Sequence, residues 1–222
     1  MTTQEQDTNT MQAIRALAHR DPSVRLRAAL AVGTTPDPRS VGGLVERCAV
    51  EPEFYVREML TWALLRQQPS STVPALVEEL RSAQPQARSQ ALHTLSKIGD
   101  RRAWSAITRE LLTDPDDTVA RTAWRAAVAL VPEEGQSELA AVLATQLGRG
   151  GRETQLSLSR ALIALGEVIT PILHAAAEHR DPGVRGHALA TQQLWLDPDA
   201  GFQLAVEQAK RVAALGPAGE RG

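Results

Sequence analysis

The chain repeats apolar and polar positions with a helical period from near its start to near its end. "LRAALAVG" (26–33), "EMLTWALL" (58–65), "SQALHTLSKIG" (89–99), "RTAWRAAVAL" (121–130), "ETQLSLSRALIALG" (153–166) and "GHALATQQLWL" (186–196) all set small or apolar residues three and four apart. That spacing lines one stripe of an α-helix. Between them lie "MQAIRALAH", "SVGGLVERCAV", "TVPALVEELRSA", "AWSAITRELLT", "EGQSELAAVLATQL" and "VITPILHAAAEH", which read as partner helices of the same kind. The pattern therefore predicts six helix pairs in one domain over 10–215, ending on a closing helix in "DAGFQLAVEQAKRVAAL" (199–215). Residues 1–9 and "GPAGERG" (216–222) carry no stripe and read as frayed tails.

The pairs are copies of one unit. "HRDPSVR" (19–25) and "HRDPGVR" (179–185) agree at six of seven letters across 160 residues. A Pro behind an acidic or amide residue recurs at Asp21-Pro22, Glu51-Pro52, Gln84-Pro85, Asp114-Pro115 and Asp181-Pro182, in steps of 30, 33, 30 and 67. The last step is two periods with one member missing. A period of about 32 makes the two heptapeptides the first and sixth members of a series, too far apart to share one compact site.

The motif reads mechanically. Asp21 suits an N-cap, and Pro22 the first helical position, where a missing N–H costs nothing. Val24 faces inward. Arg25 is placed to reach an acidic cap in a neighbouring pair, giving a ladder of exposed rungs worth less than about 1 kcal/mol each. His19 and His179 are expected to close the preceding helices as donors near their negative ends. Repeats four and five depart, with Ala120 and Gln155 at the Arg position and "GRGGRE" (148–153) in place of Asp-Pro. Looser stacking and a bend near 148–154 are the expectation there.

Composition narrows the class. Aromatics make up 3% of the 222 residues, while Ala, Leu, Val and Arg dominate, which points to an all-α chain. A net charge of −2 excludes a protein drawn to polyanions by bulk charge alone. The single cysteine, Cys48, excludes an internal disulfide or a multi-cysteine metal site and suits a reducing cytoplasm. No run approaches about 18 apolar residues, so a soluble, cytoplasmic protein without membrane contact is expected.

D-P-x-V-R followed by A-x-x-A-L-x-x-I-G resembles the HEAT repeat, in particular the short HEAT-like type of phycobilin-lyase proteins. The resemblance spans roughly residues 11–197 and is clearest in "QPQARSQALHTLSKIGD" (84–100). It implies a right-handed α-solenoid of about six HEAT-like helix pairs plus a C-terminal capping helix. It also implies that the second helix of each pair lines a concave side.

Catalytic motifs are absent: there is no G-x-S-x-G, Walker loop, G-x-G-x-x-G or H-E-x-x-H. In "HAAAEH" (174–179) the two histidines diverge by about 140° on a helix, so no metal is expected. "GRGGRE" reads as a turn, with phosphate cradling by Arg149 and Arg152 as the alternative. No cofactor and no enzymatic activity are expected.

The informative residues are those facing outward from the second helices. Counting the Val of V-R as one, positions three, seven and eleven collect Trp62, Arg66, His93, Lys97, Arg121, Arg125 and Arg160, opposed by Glu58. Two readings stand. The strip is a solvated helix surface with Trp62 filling a gap between pairs, or it is a groove for a protein or acidic peptide partner, anchored by Trp62 and clamped by arginines. The leading function is a non-enzymatic scaffold or adaptor. The alternative is nucleic-acid binding, as in HEAT-like glycosylases of alkylated bases, where Glu58 would be the carboxylate candidate. Chromophore attachment, implied by the repeat type alone, is a remote third. Trp104, Trp124 and Trp195 read as structural.

Overall fold

The computed structural model describes residues 3–197, and among them every element is a helix or a short 3₁₀ turn. The closing helix and the C-terminal tail expected from sequence lie outside these residues. The helices sort into two compact units, Met1–Ile107 and Thr108–Gly222, where the sequence pattern suggests one domain.

The first unit holds α1 (Thr3–Ala16), α2 (Pro22–Thr34), α3 (Val41–Val50), α4 (Phe54–Leu65), α5 (Pro69–Glu79), α6 (Pro85–Ile98) and a 3₁₀ turn, Arg101–Ala106. Helix α1 starts eight residues before the Met11 at which its stripe begins. Helices α2 and α4 pack along their length, and α3 packs against α4 and α6. Leu44, Val56, Leu60, Leu64, Leu92 and Leu95 are fully buried between them. The close approach of α2 to α4 needs Gly33, because a Cβ there would lie 2.3 Å from Trp62 Cζ3 and 2.9 Å from the Ala63 backbone. Cys48 is buried outright, and burial pushes its thiol up to about 12, so it is packing.

The second unit holds α7 (Arg109–Leu112), α8 (Asp117–Leu130), α9 (Gln136–Ala144), α10 (Arg152–Ile163), α11 (Thr170–Ala177) and α12 (Pro182–Leu196). Its centre is Trp124, fully buried, whose indole N–H donates to the Leu112 carbonyl at 2.8 Å. The single helix expected from "AWSAITRELLT" is instead two pieces. Ile107, with ψ 89°, leaves the helical region and Thr108, with ψ 165°, is extended, so that α7 starts afresh at Arg109.

The corners that start the second helices reveal what the repeated motif does. The N-caps are Asp21, Glu53, Gln84, Asp116, Gly151 and Asp181. In repeats two and four the Pro therefore precedes the cap instead of following it, and the Pro alignment is two residues early there. In five corners the side chain two residues before the cap accepts its backbone N–H: His19, Glu51, Ser82, Asp114 and His179. The histidines thus act through Nδ1 as acceptors, where the sequence reading cast them as donors.

The repeated arginine closes the same loop from the other side. Nη1 of Arg25, Arg57, Arg88 and Arg185 each donates to the carbonyls five and six residues back. Its main task is therefore to staple its own corner, and the ladder of exposed rungs is corrected accordingly. Arg25 also reaches a neighbouring pair, but that contact is buried: Nε and Nη2 meet the two oxygens of Glu51 at 2.7 Å each.

The "GRGGRE" corner is tied down, which overturns the expected loosening at 148–154. Arg149 donates from Nη2 to the Asp114 carbonyl and from Nε to Asp117 Oδ1 at 2.9 Å. Asp114 lies six residues before Ala120, so Arg149 delivers a guanidinium to the carbonyl that an arginine at 120 would serve. Gly148 and Gly150 supply the left-handed φ values of 83° and 66° that carry Arg149 there. Gly148 N–H in turn donates to Nδ1 of the buried His187, whose Nε2 lies 3.0 Å from both the Gln155 carbonyl and Ser159 Oγ. Arg149 is occupied by these bonds, so the phosphate-cradle alternative has no free guanidinium at that position.

Candidate partner-binding cleft

The outward positions of the second helices were legible in the heptad-like count. Positions three, seven and eleven are exposed or half-buried from α2 through α10. In α12 the pattern fails at Ala190, which is fully buried.

In the first unit the predicted residues are largely engaged. Trp62 is half-buried, its ring lying in the space that a side chain at position 33 would fill. Glu58 sits 3.5 Å from His93 Nε2 and 4.0 Å from Lys97 Nζ, so one carboxylate serves two of the four predicted contact residues. Arg66 is exposed at the C-terminal end of α4. The carboxylate that the glycosylase alternative requires is thus taken up by a His–Lys pair.

The second unit brings Arg121, Arg125 and Arg160 together. Arg121 and Arg125 stand one turn apart on α8, on the same face. Arg160 comes from α10. With Glu153 and Ser157 they surround a cleft of about 480 Å³ whose apolar lining is Val128, Leu156, Ala161 and Ala164. The small side chains of Ala161 and Ala164 leave the recess open. Arg160 has no side-chain hydrogen bond or ion pair among the described residues, and Arg125 reaches Thr122 Oγ1 at 3.5 Å. Arg121 meets Glu153 Oε2 at 3.1 Å. The corner arginines spend their guanidiniums on carbonyls, whereas these three line the cleft and bond to no backbone carbonyl among the described residues.

Sequence reading missed two features. Glu153 is 32 residues from Arg121, and nothing in the repeat marks it as a partner. A second, apolar groove of about 200 Å³ lies on α11 and α12, lined by Ile169, Leu173, Trp195 and Leu196 among others. Trp195, read as core, is half-buried in that groove, while Trp124 is the core residue that the pattern indicates. Among the described residues no group of His, Cys, Asp and Glu is arranged to hold a metal ion. No described helix is long and apolar enough to cross a membrane.

Paired helices of this kind, repeated with capped corners, define an α-helical repeat protein. The family of HEAT repeats matches residues 42–129 of the chain. Among solved structures, the fold is similar to the complex of CpcE and CpcF of phycocyanin lyase from Nostoc sp. PCC7120, at 19% identity and a TM-score of 0.50, over 90% of this chain and 86% of that one. An engineered protein aligns at 18% identity and a TM-score of 0.46, over 91% and 99%. Kap121p bound to Ste12p aligns at 17% and 0.43, over 97% of this chain and 29% of that one. At such identities the likeness is one of fold. Among curated proteins, none matches the sequence.

Proposed function

We propose that the chain is a non-enzymatic scaffold that binds an acidic segment of a protein partner on the outward face of its second helices. HEAT repeats and a fold neighbour that is itself part of a two-protein complex support an interaction role. The observation that carries the acidic partner is the second-unit cleft: three guanidiniums over an apolar floor, on a chain whose net charge is −2. Among the described residues the Arg160 guanidinium is unbonded and that of Arg125 is held only by a 3.5 Å bond to Thr122. Arginine pairs with carboxylates through two parallel N–H bonds, and burial beside apolar groups strengthens such contacts. Trp62, Arg66, His93 and Lys97 are a secondary contact set on the first unit.

The test is an array of immobilised acidic, neutral and basic peptides, together with labelled duplex and single-stranded DNA. The expected result is capture of acidic peptides by the wild type and loss of capture by R125E/R160E, with an unchanged helical circular dichroism spectrum. Equal capture by the two proteins, or binding confined to DNA, overturns the reading.

A further inference from the structure

The cleft contains its own acid. Glu153 stands on α10, on the face it shares with Arg160, and lines the same recess as the three arginines. Its side chain is 84% exposed and is held to Arg121 by one N–O contact of 3.1 Å. An ion pair so exposed contributes little to stability, so its presence is not explained by holding α8 to α10. Those helices are already joined at the half-buried corner where Arg149 and Thr154 both bond to Asp117. What Glu153 does change is the ligand's situation. It occupies one guanidinium of three and places a negative charge at the edge of the recess.

We infer that Glu153 is a built-in competitor that holds Arg121 until an incoming acidic side chain displaces it, so that a segment with two acidic side chains around an apolar one engages all three arginines while Glu153 reduces what the second acid gains. The inference rests on the acidic-segment reading above. The reasoning is one of matching. A ligand with a single carboxylate is served by Arg125 and Arg160, and it leaves the Arg121–Glu153 pair intact. A second carboxylate must take Arg121 from Glu153, and the displaced Glu153 swings into water at small cost because it is exposed already. The apolar residue between the two acids faces Val128, Leu156, Ala161 and Ala164. The second acid is thus favoured by Arg121 and opposed by Glu153, which narrows the preference for two acids over one.

The experiment compares fluorescein-labelled peptides centred on Glu-Leu-Glu, Glu-Leu-Gln and Gln-Leu-Gln, titrated against the wild type, E153Q and R125A/R160A by fluorescence anisotropy. E153Q removes the competing charge from a fully solvated position, so the fold is undisturbed. It is expected to tighten Glu-Leu-Glu by about two- to five-fold, the worth of an exposed ion pair, and to tighten Glu-Leu-Gln less. Wild-type preference for Glu-Leu-Glu over Glu-Leu-Gln should narrow when Arg121 is replaced by Ala. If the wild type binds through Arg125 and Arg160 but E153Q leaves both affinities unchanged or weaker, the competitor role is overturned and the acidic-segment reading stands. If no acidic peptide binds either protein, both fall.

Discussion

Arg25 and Glu51 form a two-pronged ion pair inside the first unit, Nε to Oε2 and Nη2 to Oε1, both at 2.7 Å, with the carboxylate shielded from water. Glu51 also accepts from Arg47 Nε at 2.8 Å and from the Glu53 backbone N–H at 3.0 Å. The pair thus joins the corner of the first repeat to the corner of the second, through an acid before a Pro that is buried outright.

Breaking this pair should be costly. Burial by itself would raise the Glu51 pKa, but the Arg25 bonds, the Glu53 N–H and Arg47 outweigh it and hold the carboxyl at about 2. Glu51→Gln strands two arginines near the interior and is expected to cost about 3 kcal/mol, the lower end for removing one partner of a buried pair. The sign with pH follows from a folded value below the usual 4.5. The contribution is complete above about pH 4.5 and is lost as pH falls toward 2. Urea unfolding followed by circular dichroism at several pH values should show a steep acid loss in the wild type and a shallower one in the variant.

Arg149 makes a prediction that separates replacement from coincidence. Arg149→Ala removes the guanidinium from the Asp114 carbonyl and from Asp117 Oδ1 and should destabilise the chain by about 1–3 kcal/mol. Adding Ala120→Arg should recover part of that loss, because position 120 is the motif's arginine site. The equivalent Arg25 is accommodated in its own corner at 4% exposure. Thermal unfolding of the single and double variants decides the matter: no recovery would mean that Arg149 serves some other purpose.

His187 predicts acid sensitivity in a different range. Burial depresses its pKa to about 4, and the Gly148 N–H requires an unprotonated Nδ1. A folded value below the ordinary 6.5 means that the unfolded chain binds the proton more readily. Stability is therefore complete above about pH 6.5 and declines as pH falls to about 4. His187→Gln should lower stability at pH 7 and flatten that slope, measured as melting temperature against pH.

Much of this was visible in the chain. The stripe spacing placed the second helices, and counting from the Val of V-R picked out Arg121, Arg125 and Arg160 as outward neighbours because that count depends only on helical geometry. The role of the repeated arginine was not visible. Position alone allows a guanidinium to reach back to its own corner or across to a neighbour, and only distances distinguish the two. Pro gave an ambiguous register because it is tolerated on either side of an N-cap. The Glu153 contact and the Arg149 substitution escaped because each spans more than 30 residues and leaves no periodic trace. Gly33 looked like an ordinary small residue until Trp62 was seen to fill the volume above it.

The corner staple also makes most turns locally complete. The Nη1 bonds of Arg25, Arg57, Arg88 and Arg185 close on carbonyls of their own corners, whatever else those side chains reach. At position 120, where the motif arginine is Ala, a glycine-rich detour supplies the bond to the Asp114 carbonyl from the next corner. The outward positions of α8 and α10 take no part in these bonds, so the face offered to a partner can be rewritten by substitution while the turns that present it stay fixed.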